Sequence, residues 1–149
     1  MFLILATSAA LSATTPIHSA DIAHASSVYT ASYSTQSTVH LLEVEPRFAN
    51  RPSVPVCRWQ AELVVNRDVA AQGRPQAAVA KPIHRFAPLS GSHAGNCTAA
   101  RSQIDAQVAR YSAAQAGQAA TVAQQDRAVL VGELDGIRAL HAKGAVTGG

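Results

Sequence analysis

Cys57 and Cys97 are the only two cysteines of the chain. A thiol pair can close a disulfide, ligate a metal or supply a nucleophile, so the surrounding residues decide which chemistry applies. Between the two lies a run that holds His84, Arg85, Ser90, Ser92, His93 and Asn96, with Arg101 just beyond it. Imidazole changes charge near neutral pH and guanidinium stays positive. Asn96 is of a type that caps helices, and a helix N-terminus offers unpaired N–H groups and a favourable dipole to a negative group. These residue types at this spacing point to a small-anion site formed by His84, Arg85, Ser92, His93 and Arg101, where Gly91 and Gly95 would let the backbone approach the ligand. The competing reading of the same stretch is a loop that crosses a sheet and uses Gly for its turns.

Other chemistries fit less well. Cys57, His84, His93 and Cys97 are ligand types for zinc, yet neither a CxxC nor a His-x₃₋₅-His spacing is present, so no metal is expected. Gly91-Ser92-His93-Ala94-Gly95 misses the G-x-S-x-G spacing of a hydrolase elbow, because Ser92 directly follows Gly91. Asn96-Cys97-Thr98 fits the glycosylation pattern and reads as accidental beside a half-cystine. No cofactor motif is found. The net charge is +3, with the charges scattered and no basic run interleaved with aromatics, so no nucleic-acid partner is expected. Ten of the 12 basic residues are Arg, and Ala is abundant, a composition typical of a GC-rich bacterial genome.

The first 13 residues, Met1 to Ala13, are apolar or small and uncharged. Such a run suits the apolar region of a signal peptide and is short of the roughly 20 residues of a membrane span. Ala23-His24-Ala25 offers small residues for cleavage after Ala25, with a second candidate after Ala20. The basic flank usual before such a run is missing. A buried N-terminal helix in a cytosolic chain is the alternative, against which Pro16 and the Thr/Ser/His-rich stretch after it argue. Residues 1–25 therefore read as a signal peptide and 26–149 as one small exported domain, periplasmic or secreted, with no membrane span and with an envelope protein as a possible partner. In that setting Cys57 and Cys97 pair by default. Closing so long a loop contributes about 4 kcal/mol in the chain-entropy account. That matters in a core where much of the apolar content is Ala, which buries little area.

The elements that must position these groups follow from periodicity. Ser26 to Thr38 reads as a flexible leader or edge strand, and Val39 to Glu45 as a short strand ended by Pro46. Arg47 to Pro55 is a loop, since Pro52 and Pro55 lack a backbone donor. From Val56 to Asn66 apolar Cys57, Trp59, Ala61, Leu63 and Val65 alternate with mostly polar residues, the mark of a half-buried strand that points Cys57 inward. Ala71 to Pro75 is a turn. Gln76 to Phe86 is a hairpin partner that Pro82 demotes to an edge or splits, and Ala87 to Asn96 is a loop by composition. From Cys97 to Ala116 the chain favours helix, with an apolar stripe at Ile104, Val108 and Tyr111. Gly117 is a candidate end. Val122, Val129, Leu130, Leu134, Ile137 and Leu140 carry a helical face onward to Ala142, although Asp135-Gly136 would also suit a hairpin over 128–142. Residues 143–149 read as a flexible tail.

The expected fold is α+β: a small antiparallel sheet from the N-terminal and central part, one or two C-terminal helices over 97–142 packed on it, and one disulfide. The expected function is a non-catalytic envelope binding or interaction module. The alternative is a small-anion binder or enzyme centred on His84–His93.

Overall fold

The computed structural model describes residues 10–45 and 52–146. Met1 to Ala9, Pro46, residues 47–51 of the expected loop and the last three residues of the expected tail lie outside them. Strand β1 runs Ala10–His24, β2 Ser27–Val44, β3 Val56–Ala71, β4 Arg74–Pro75, β5 Lys81–Arg85 and β6 Leu89–Ala94, and helix α1 spans Cys97–Val146. The strands form one sheet in the order β1-β2-β3-β4, with β5 and β6 also paired to β3. The protein is thus an α+β fold with a small antiparallel sheet, a C-terminal helix and a Cys57–Cys97 disulfide.

The middle strand is where sequence periodicity is strongest. Along β3 every odd residue from Cys57 to Val69 is buried, and the even ones face outward. Arg67 occupies one of the inward positions. The β3–β4 turn has both central residues, Gln72 and Gly73, at positive φ, which matches the right-handed twist of paired strands. Ala70 then faces Pro75 and Ala71 faces Arg74.

Two segments depart from expectation. Residues 10–24, assigned above to a cleaved signal peptide, form β1, and the leader reading is corrected on that point. Ile22 of this strand is only 2% exposed and sits in a hydrophobic core, and Asp21 accepts a hydrogen bond from Thr30 of β2 at 2.8 Å. Cleavage after Ala25 would fall in the turn that joins β1 to β2 and would strip a strand from the sheet. The run from Ala87 to Asn96, expected as a loop, contains β6, paired antiparallel to β3 from Val56↔Ala94 to Ala61↔Leu89. Gly91 lies opposite Trp59, and a Cβ there would stand 2.9 Å from the indole ring. The glycine that suggested a turn is instead the bed on which the tryptophan lies.

The helix is a single element of 50 residues, so neither a break at Gly117 nor a hairpin at Asp135-Gly136 occurs. Its inward stripe is Ala100, Ile104, Val108, Tyr111, Gln115, Ala119, Ala123, Asp126, Leu130, Leu134 and Ile137. Seven of its steps are of four residues and three are of three, an average close to the α-helical period, so one face is kept inward throughout. Val129 and Leu140, expected on this face, are 53% and 71% exposed. The small side chains of Ala119 and Ala123 take the inward positions instead.

By compactness the described residues divide into two units. The first comprises 10–14, 36–45, 52–63 and 85–115, and the second 15–35, 64–84 and 116–146. The core of the first joins Val39, Leu41, Cys57, Trp59 and Ala61 to Ile104 and Val108, with Cys97 packed against it through the disulfide. That of the second joins Ile22, Tyr33, Val69 and Val79 to Ala123, Leu130 and Leu134.

Candidate functional site

The anion-site candidates are dispersed. Arg85 lies on β5, with its guanidinium 3.5 Å from the Glu62 carboxylate. Ser92 and His93 are neighbours on β6, so their side chains leave on opposite faces; His93 Nε2 lies 3.4 Å from the Gln107 side-chain amide of α1. Arg101 bonds Asp105 one turn along the helix at 3.1 Å. His84 belongs to the second compact unit, and the other four belong to the first. The helix N-terminus is served from within the chain. Glu43 accepts the Cys97 N–H at 3.0 Å, and the Asn96 side chain accepts that of Ala99 at 2.8 Å, as a capping residue does. Cys57 and Cys97 are bonded to each other and are not free as ligands or nucleophiles. No group of three or more His, Cys, Asp or Glu side chains placed to hold a metal occurs among the described residues.

The second compact unit holds a charged network. Arg67 is fully buried. Its Nε donates to the Val79 carbonyl at 2.9 Å, one terminal nitrogen donates to Asp126 at 2.8 Å, and the other donates to Glu133. Lys81 donates to the other oxygen of Glu133, and the Tyr33 hydroxyl donates to Asp126 at 3.1 Å. Burial works against the charge on Arg67, but its bonds to Asp126 and Glu133 outweigh that and raise its pKa. Burial likewise opposes ionisation of Glu133, and Lys81 and Arg67 more than offset it, holding its carboxyl below the usual range. Burial, the Asp126 charge and the hydrogen bond to it push Tyr33 up to about 12. Two cations meet two anions here, and both terminal nitrogens of the buried Arg67 are engaged, while Glu133 and Lys81 reach toward solvent. Such a set ties β2, β3 and β5 to α1. Sequence periodicity missed it because Arg67 continues the inward parity of β3 beyond Val65, where only apolar types were sought.

Beside it opens a cavity of about 340 Å³. Its apolar wall is Tyr29, Val79, Leu134 and Ile137. Val79 thus serves twice, its carbonyl holding Arg67 and its side chain lining the space. The polar lining is Ser27, Gln76, His24, Arg138 and His141. His24 Nε2 lies 2.7 Å from Asp135 Oδ1, and its ring meets the Tyr29 ring edge-on with centroids 6.1 Å apart. Ala25, in the β1–β2 turn at the rim, has φ 54°, a left-handed conformation that costs a residue with a Cβ about 1–2 kcal/mol. Sequence reasoning missed the cavity because His24 and Ala25 of its wall lie in the segment taken for a signal peptide, and because the β1–β2 turn carries no Gly, Asn or Asp to signal it.

No helix among the described residues is long and apolar enough to cross a membrane. No protein-family pattern, curated protein sequence or solved structure matches the chain.

Proposed function

We propose that this protein is a non-catalytic binding module whose ligand contact is the cavity beneath the β1–β2 turn. The observation that carries this reading is the lining itself. Small-molecule sites are concave, mainly apolar and furnished with a few convergent polar groups, commonly within about 300–1,000 Å³. The wall of Tyr29, Val79, Leu134 and Ile137, with His24, Gln76 and Arg138 around it, has that character. The buried charges support a binding rather than a reactive role, since Arg67, Asp126 and Glu133 are spent on one another. The closed disulfide supports a working compartment oxidising enough to keep Cys57 and Cys97 joined.

The test is amide chemical-shift mapping with small neutral probes such as benzyl alcohol and cyclohexanol. Saturable shifts confined to residues 24–29, 76–79 and 134–141, and abolished when Ile137→Trp fills the space, are expected. Shifts spread evenly over the surface and unchanged in that variant would refute the reading.

A further inference from the structure

Resting on the reading of this cavity as the ligand contact, we propose that its ligand is a carboxylate carried on a compact apolar body. Among the lining residues the permanent charge is that of Arg138, and it is positive. Arg138 and His141 stand three residues apart on α1, so both project from one side of the helix. His24 faces the same space from β1, and no carboxylate lines it. Asp135 touches this lining, its Oδ1 held 2.7 Å from His24 Nε2. Arg138 makes no ion pair among the described residues, so its guanidinium has donors to give.

A planar guanidinium matches a carboxylate with two parallel hydrogen bonds, a fit that a neutral alcohol cannot reproduce. The C-terminal dipole of α1 would oppose an anion, but it acts within the last turn, and Arg138 lies two turns before Val146. The rest of the ligand is largely apolar, because Val79, Leu134 and Ile137 offer it nothing to hydrogen-bond with and Tyr29 adds an aromatic ring to the same wall. The volume sets the scale of the part that is held. At about 30 Å³ for each water, the space corresponds to about ten waters, which suits a ligand of roughly ten non-hydrogen atoms. An aryl-alkanoate or a medium-chain fatty acid meets all three conditions.

The experiment compares 3-phenylpropionate with its neutral counterpart 3-phenylpropan-1-ol and its cationic counterpart 3-phenylpropylamine at pH 7, by amide shift titration of the full chain. The acid is expected to bind about tenfold more tightly than the alcohol, the size of one charge-assisted hydrogen bond, and the amine more weakly than either. Arg138→Gln should remove the advantage of the acid, so that acid and alcohol bind alike. Arg138 is exposed, so this variant keeps the fold, and the unperturbed amide spectrum checks that it does. Equal binding of acid and alcohol, or an Arg138→Gln variant that still prefers the acid, overturns the carboxylate and leaves the cavity as a ligand site. Failure of all three probes to shift residues 24–29 and 134–141 overturns the binding reading and this inference with it.

Discussion

Arg67 shows how one residue can carry a large share of a local structure. Its side chain is 0% exposed and holds two acids from α1 and a carbonyl from the turn after β4. Removing a buried ion from such a set leaves its partners buried and unpaired, which costs far more than the set contributes over an apolar equivalent. Arg67→Met is expected to lower stability by about 3–5 kcal/mol in urea unfolding. Adding Asp126→Asn should recover part of the loss, because a neutral amide still accepts from Tyr33. A double variant no more stable than the single one would show that the charge on Asp126 is not the source of the cost. Glu133 sets a pH dependence. Its folded pKa is depressed below the ordinary 4.5, so its contribution is fully present above that value and is lost as the pH falls through the folded value. The protein should therefore lose stability below about pH 4.5 more steeply than Glu133→Gln does, as followed by thermal unfolding across pH 3–6.

At the scale of elements, regular patterns were legible and irregular ones were not. The alternation of Cys57, Trp59, Ala61, Leu63 and Val65 marked β3 and its buried face, and the Asn96 cap marked the start of α1, because both signals are local. The two hairpins differ in this respect. Gly73 announces the β3–β4 turn, whereas the β1–β2 turn places Ala25 at φ 54° with no Gly, Asn or Asp to signal it. Tertiary pairing over two long strands holds Ala25 in that state. Ala25→Gly is expected to relieve the strain and raise stability by up to about 1 kcal/mol, since the relief exceeds the extra backbone freedom that Gly loses on folding. Equilibrium unfolding in urea measures it, and a variant less stable than the parent would show that the turn relies on the Cβ.

For the whole molecule, the most consequential element is β1. A chain that begins at Ser26 lacks Ile22 and the stacking of His18 on Tyr33, whose rings lie 6.1 Å apart, and leaves the outer edge of β2 unpaired. Such a chain is expected to lose the cooperative unfolding transition of the second compact unit and to bind a hydrophobic dye. Hydrogen exchange at Tyr33, Val69 and Leu130 reports it, and protection equal to that of the parent would mean that β1 is dispensable. Each compact unit is secured by a different device. The first has the Cys57–Cys97 bond, and the second has the Arg67 network.

The sequence by itself determined what depends on neighbours along the chain: the period-two strand with its inward cysteine, the helical stripe at Ile104, Val108 and Tyr111, and the cap at Asn96. Tertiary structure decided what depends on partners far away in the chain. An apolar, uncharged N-terminal run suits a leader and a strand equally, and only pairing with β2 made residues 10–24 a strand. Gly91 suited a turn until Trp59 lay across it. Gly117 and Gly136 stayed helical because the inward stripe continues past them, and burial along a face outweighs a local penalty of roughly 1 kcal/mol for each glycine. The residues that line the cavity come from three separate stretches of sequence, so no spacing along the chain could have grouped them.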